Sequence, residues 1–559
     1  MKKTLILAFS ACSFFFFATS CSKMGALSAD HFTVAPNPLE TQGGKVPATI
    51  NGMFPEKYMK RKAVVTVVPE LRYGNGQVAQ GESATFQGEN VMGNDQMISY
   101  RLGGRYNMKT SFTYVPEMQR SDMYLTFNAR IGNKRINIPA VKVASGVVAT
   151  SELYKRALMS DGGCIAPDSF ERVKAQKQEA NIKFLVNQAN LRQSELKNNS
   201  VTEFVRMLHK INQDREGLNV QSVEVKAYAS PEGGFSFNDK LANKRQNASE
   251  NYVKQQLKQT GVAAGIDAHY TAQDWEGFQQ LVQASNIQDK DVILRVLSMY
   301  KDPEQREQQI RNMSEAFREL ADGILPELRR SRLIINYETI GRSDDEIKSQ
   351  YATDATKLSA DELLYLATLQ DNAAQQEAVY KKTAEFYDKD YRAFNNLAVF
   401  EMMKGNESAA RNYLAQALRV NSAAAEANAN NGLLLLKEGK IEQAEMEISK
   451  ATAANNFGQA LGSLNLAKGN FAQAEENMKG INSNMAALAQ LLNKNYAAAV
   501  STLDGIKNPD GLTDYLHAIV AARRGNKFAA ESYLADALKK DPSLKSYAEN
   551  DLELSLLKK

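Results

Sequence analysis

Cysteine, histidine and tryptophan are scarce in this chain of 559 residues, with three, four and one respectively. Cys12, Cys21 and Cys164 are too few for a disulfide framework, even in an oxidising compartment. Cys164, in Asp161-Gly162-Gly163-Cys164, has no sequence partner and reads as a small buried thiol. His31, His209, His269 and His517 are scattered without cysteines at ligand spacing, so no metal site is expected. Also missing are Gly-x-Ser-x-Gly, a glycine loop opening a helix to cradle phosphate, and His-Glu-x-x-His. The chain therefore reads as non-enzymatic, with no catalytic residues and no cofactor. Neither sign of charge dominates: 68 Lys and Arg face 64 Asp and Glu, and a net charge of +4 implies no nucleic-acid partner. After residues 5–17 no long hydrophobic run follows, which excludes a multi-span membrane protein.

That one run defines the N-terminus. Lys2-Lys3, apolar residues 5–17 and Ala18-Thr19-Ser20-Cys21 have the layout of a secretory signal, too short to span a bilayer. The small residues before Cys21 resemble a lipobox. That resemblance implies a signal peptide over 1–20 and acylation, palmitate included, of Cys21 as the first mature residue. Cys12 fits less well, because Phe9 stands three residues before it. Ser22, where an Asp would favour the inner membrane, implies an outer-membrane lipoprotein. Without an acidic run in Ser22-Lys23-Met24-Gly25, it is expected to face the periplasm.

Residues 21–45, rich in Ser, Pro, Gly and Thr, read as a tether. Over 46–149, short alternating apolar runs such as Ala63-Val-Val-Thr-Val-Val68 and Met123-Tyr-Leu-Thr-Phe127 predict an antiparallel β-sandwich. Between Lys45 and Lys142, fourteen Lys or Arg face seven Asp or Glu. This excess reads either as a solvated face or as a surface for anionic headgroups or an acidic partner. Residues 150–177 read as a charged helical connector.

The central stretch runs Val223-Glu-Val-Lys-Ala-Tyr-Ala-Ser-Pro-Glu-Gly-Gly233, then Asn238, Leu241 and Arg245 on a long helix. Strand, polar turn and Asn-x-x-Leu-x-x-x-Arg resemble the OmpA-like domain, in the Tyr-Ala-Ser-Pro-Glu-Gly variant of Bacteroidota envelope lipoproteins. The resemblance spans 178–340, with a first strand in Asn181–Leu191, a helical insertion over 275–322 and a final strand after Leu325-Pro-Glu-Leu-Arg-Arg330. It implies that Arg245 binds a cell-wall carboxylate beside an Asp, but Ser230 stands where that Asp is expected. Candidate ligand residues are Arg245, Ser230, Asn238 and Glu232, with Glu232 the substitute for the lost charge. The alternative for Arg245 is an ion pair with Glu232 or Asp239 that stabilises the turn.

Residues 341–559 read as a solenoid. Gly405 and Gly439 are thirty-four residues apart, and Ala398 with Gly432, Ala410 with Ala444 and Ala417 with Ala451 keep that register. This is the tetratricopeptide period, with small residues where antiparallel helices approach closely. A degenerate unit before Phe394 reads as a cap, and Asp344-Asp345-Glu346 as solvated charge in a linker. Together the parts predict a multidomain chain: β-sandwich, α/β OmpA-like domain, all-α solenoid. The expected function is a periplasmic scaffold whose groove binds protein partners, an accessory subunit of an envelope assembly or secretion machine. Two alternatives are a peptidoglycan-binding tether from membrane to wall and a fimbrial assembly or anchoring lipoprotein.

Overall fold

Along β-strands, apolar residues two apart share one face, and ten strands of the N-terminal part bury that face in a common core. The computed structural model describes residues 24–287, 289–312 and 318–558, so Cys21 and the signal segment lie outside the described residues. In chain order the strands are β1 (Phe32–Ala35), β2 (Leu39–Glu40), β3 (Lys45–Phe54), β4 (Ala63–Tyr73), β5 (Gln77–Gln80), β6 (Ala84–Gly88), β7 (Gln96–Ile98), β8 (Gly104–Thr113), β9 (Ser121–Ile131) and β10 (Lys134–Val148). One sheet has the order β1-β3-β8. The other runs β2-β10-β9-β4-β6-β7, with β5 paired to β4. In β4 the buried positions are Ala63, Val65, Val67, Pro69 and Leu71.

Two expectations need correction here. Described residues of the expected tether, 24–45, belong to the sandwich: Met24, Leu27, Phe32, Val34 and Leu39 are buried in its core. Polar composition hid an apolar residue at every second position of β1. The sandwich is also not wholly antiparallel, because β2 pairs with β10, and β6 with β7, in parallel.

The expected helical connector over 150–177 holds one seven-residue helix, α1 (Tyr154–Ser160). It then runs extended, and a strand, β11 (Val173–Lys183), begins inside it. The chain clusters into two compact units, one formed by Met1–Asp168 with Leu363–Lys559 and the other by Ser169–Glu362.

The second unit has a four-stranded mixed sheet, β11-β14-β12-β13, where β12 is Leu218–Tyr228, β13 Ile266–Thr271 and β14 Arg330–Ile340. The first strand therefore lies earlier than the expected Asn181–Leu191, and residues beyond Lys183 form a loop. Helices α2 (Asn199–Gln213) and α3 (Phe235–Thr260) pack on the sheet through Phe204, Leu208, Val253 and Leu257, against Val223, Val225 and Leu333. The insertion carries helices Trp275–Ala284, Lys290–Met299 and Pro303–Asn312 around a small core of its own, including Phe278, Ile293 and Leu320. Asp344-Asp345-Glu346 is not linker but the first turn of helix Asp344–Asp354, closed by a Ser343–Glu346 capping box. Residues up to Glu362 cluster with this unit, so the solenoid begins later than residue 341.

From there on antiparallel helix pairs follow. Their first helices are α4 (Tyr391–Met403), α5 (Ala425–Lys437), α6 (Phe457–Ala467), α7 (Asn484–Leu492) and α8 (Gly511–Arg523), each followed by a second helix. A pair Ala360–Thr368 and Ala373–Phe386 precedes them. Small residues mark the close approaches: a Cβ at Gly432 would meet Ile448 at 2.5 Å, and one at Gly462 would meet Met478 at 2.5 Å.

Candidate functional site

The turn between β12 and α3 brings Ser230, Glu232, Asn238 and Arg245 together, with their polar groups turned on the protein itself. Asn238, buried, donates through Nδ2 to the carbonyls of Ser230 (3.1 Å), Glu232 (2.9 Å) and Gly233 (3.2 Å) and so fixes the turn. Ser230 donates its hydroxyl to Glu232 (3.0 Å). Glu232 forms an ion pair with Arg329 at 2.8 Å, both side chains largely buried. From the insertion, Glu307 accepts the Gly233 N–H at 2.8 Å, and Asp274 pairs with Arg330 at 3.3 Å.

Arg245 is only 1% exposed. Its Nε donates to the Gln188 carbonyl (3.0 Å), Nη1 to Tyr228 (2.9 Å) and Nη2 to Leu185 (3.2 Å), with the guanidinium over the Phe184 ring at 5.0 Å. Neither expected role is seen: Arg245 pairs with neither Glu232 nor Asp239, and it is closed to a ligand arriving from solvent. It is a cation sunk between two loops, tying the chain after β11 to the end of β12. Burial, then the nearby Arg329, lower its pKa to about 10, so it stays charged at neutral pH. A planar fork with donors on three nitrogens serves three separated carbonyls at once, whereas an ammonium offers its three donors from a single nitrogen.

The solenoid holds a second site that sequence reasoning missed. Segment 150–168 lies along the first helices of the repeats, α1 contacting α4, α5, α6 and α7. Leu153, Tyr154, Ala157, Leu158 and Cys164 share one buried cluster with the repeats. Beyond α1 the strand-like chain is read by asparagines. Asn430 accepts the Cys164 N–H through Oδ1 (2.7 Å) and donates through Nδ2 to the Cys164 carbonyl (2.9 Å). Two residues on, Asn396 accepts from the Ala166 N–H (2.8 Å) and donates to the Ala166 carbonyl (3.1 Å). Each carboxamide thus acts as a neighbouring β-strand would, satisfying donor and acceptor of alternate residues. Asn395 adds a bond to the Cys164 carbonyl (2.9 Å) and accepts from Asn430 (2.9 Å). Asn396 and Asn430 are one repeat period apart, and buried asparagines at equivalent helix positions were the available signal.

Upstream, the Asp161 carboxylate accepts the N–H groups of Asn484 (3.0 Å) and Met485 (2.7 Å) at the start of α7. Burial raises its pKa to about 6 despite these bonds. Burial also pushes the Cys164 thiol up to about 12, which leaves it protonated and inert. Beside the segment an open cleft of about 1050 Å³ remains, lined by Lys155, Met159, Lys404, Lys437, Asn484 and Asp510, among others. Among the described residues no group of three or more His, Cys, Asp or Glu side chains is placed to hold a metal. No helix among them is long and apolar enough to cross a membrane.

No protein-family model matches the chain, and no curated protein matches it either. Among solved structures it is similar to the pilF protein of Pseudomonas aeruginosa, at 19% identity over 39% of this chain and 99% of that one, TM-score 0.25. A tetratricopeptide repeat protein of Parabacteroides merdae gives 16% identity over 45% and 100%, TM-score 0.28. Yeast Tom70 gives 11% over 65% and 83%, TM-score 0.24. At such scores the repeat assignment rests on the chain's own helix pairs and their thirty-four-residue period, not on these neighbours.

Proposed function

We propose that this chain is a non-enzymatic, lipid-anchored scaffold of the outer membrane, facing the periplasm, that holds a protein partner in the cleft beside its own groove segment. The observation that carries this reading is the filled groove. Segment 150–168 takes the position along the first helices where a peptide ligand would lie, and it braces the solenoid against the sandwich as one unit. Rigid repeats with a preformed, charged cleft suit docking of a folded partner, since little ordering is needed on binding. Support for the anchor comes from the Cys21 motif alone. The resemblance of the second unit to OmpA-like domains supports an envelope setting, with that unit a docking module. A role in an envelope assembly or secretion machine is analogy from architecture.

Wall tethering would require Arg245 to leave three carbonyls, so it is the weaker reading. No structural observation favours the fimbrial one. The test is purification from membranes in mild detergent with a photo-crosslinking residue at Met403, which lines the cleft and is 55% exposed. One stoichiometric crosslinked protein is expected. A chain that purifies alone and crosslinks to nothing would sink the scaffold reading.

A further inference from the structure

The basic excess of the sandwich is not spread over its surface. The β3–β4 loop contributes Lys57, Lys60, Arg61 and Lys62, and the loop and strand start that pack beside it contribute Arg101 and Arg105. The two are joined by Lys57 N–H to the Tyr100 carbonyl (2.6 Å), and the β6–β7 loop is held to the first by Asn90 N–H to the Arg61 carbonyl (2.7 Å). The β9–β10 hairpin reaches the same end, its Gly132 N–H bonding the Lys62 carbonyl (3.0 Å), and adds Arg130, Lys134 and Arg135. Nine of the fourteen Lys and Arg of residues 45–142 therefore gather at one end of the sandwich. Acids there are Asp30, Glu56, Glu89 and Asp95, of which Glu89 is paired with Arg61 at 3.4 Å. The rest of the same stretch holds five bases against four acids, so the asymmetry belongs to this end.

Apolar side chains stand out among these charges. Met92 is 103% exposed on the β6–β7 loop, Met97 60% on β7 and Leu102 69% beside Arg101, all at this end of the sandwich. Tyr100 lies under Lys60 (5.1 Å) and Arg61 (5.9 Å), an amphipathic ring at the same level. Apolar tips ringed by Lys and Arg are the composition of a surface that rests in the headgroup layer.

The described chain also starts here. Tyr58, in the basic loop, donates its hydroxyl to the Gly25 carbonyl at 2.7 Å. Cys21 is four residues earlier in the sequence, so an acyl group there would be joined to this end through a short stretch of chain.

We propose that this end of the sandwich docks on an anionic phospholipid surface, with Met92, Met97 and Leu102 entering the headgroup layer and the bases meeting lipid phosphates. The inference builds on the lipid-anchor reading, since an acyl chain on Cys21 would enter the bilayer beside this surface.

The test is co-sedimentation of the chain from Ser22 to Lys559, which carries no acyl group, with vesicles of phosphatidylethanolamine containing about one third phosphatidylglycerol, and with wholly zwitterionic vesicles. Binding is expected to the anionic vesicles only, and to weaken as salt rises, because exposed charges are screened. The Lys57→Gln, Lys62→Gln, Arg101→Gln variant is expected to lose about a hundredfold in partition, roughly fivefold per base. Met92→Ser with Leu102→Ser is expected to lose about tenfold. Lys197→Gln, Lys240→Gln, Lys258→Gln removes as much charge from exposed positions of the other unit and is expected to bind as the parent does. No binding by the parent chain, equal binding to zwitterionic vesicles, or equal loss in the two triple variants would overturn the proposal. Palmitate labelling of Cys21 in cells is read separately, so failure of the anchor and failure of this surface are told apart.

Discussion

Arg245 shows how a residue singled out by a motif can serve the fold. Three carbonyls of residues 185, 188 and 228 depend on it, and buried carbonyls without donors are costly. Arg245→Lys is expected to destabilise the second unit by about 2 kcal/mol, read by chemical denaturation, because one ammonium does not span the three acceptors. Sedimentation with purified peptidoglycan is expected to be the same for the parent and for Arg245→Lys. A wall affinity that disappears with the substitution would restore the wall-binding role. Asp161 is a second residue whose environment sets its chemistry. Its folded pKa, about 6, stands above the ordinary value of 3.8, so the folded chain holds the proton more tightly. Its contribution to stability is therefore fully present below about pH 4 and is lost as pH rises through about 6. The thermal midpoint of the first unit is expected to include a component that rises as pH falls from 7 to 5, and Asp161→Asn is expected to flatten it.

At the scale of an element, segment 150–168 changes what the solenoid is. Helix α1 alone, seven residues long, would not persist in water. It forms because Leu153, Tyr154 and Leu158 are buried against the repeats, each such side chain contributing about 1.5–3 kcal/mol. Among the described residues the extended part beyond it pairs with no strand, and it takes hydrogen bonds from Asn395, Asn396 and Asn430. Asn396→Ala with Asn430→Ala is expected to cost about 3 kcal/mol and to open the Gly162-Gly163 stretch to limited proteolysis. Gly163→Ala is expected to do the same by another route, since its Cβ would lie 2.3 Å from the Asn430 side-chain oxygen. If either variant resists protease as the parent does, the asparagine clamp contributes little to holding the segment.

At the scale of the molecule, the first unit is discontinuous in sequence. Sandwich and solenoid are separated by the whole second unit yet are fastened directly. Gln42 Nε2 donates to the Gly469 carbonyl (3.0 Å), and the Thr150 hydroxyl to Glu553 (2.7 Å), whose carboxylate also holds Arg523. Arg156 bonds the Ser543 hydroxyl (3.0 Å). Engineered protease sites near residues 169 and 362, cut together, are expected to leave 24–168 and 363–559 co-eluting on size exclusion. Separate elution of those two pieces would show that the fastening is weak.

Local terms were legible in the sequence: alternation through Ala63, Val65 and Val67, the Pro231–Gly233 turn with Asn238 after it, and the thirty-four-residue spacing of Gly405 and Gly439. Each rests on interactions within a few residues or one repeat, where periodicity reports which face is buried. Periodicity does not report what buries it. Cys164 meets Asn430 across 266 residues and Arg245 meets Leu185 across 60, and no local signal carries such pairings. A polar composition over 21–45 read as a tether, and only packing revealed strands in its described part. Likewise the count of basic residues could be taken from the sequence, whereas their assembly at one end of the sandwich followed from strand register. The sequence by itself determined the alternating strands of the sandwich, the turn before Asn238 and the repeat period, through backbone preference and apolar period. The tertiary structure alone decided that the groove is filled, that Arg245 is closed and that the sandwich and solenoid are one unit, because each depends on contacts between distant segments that form only when the chain is folded.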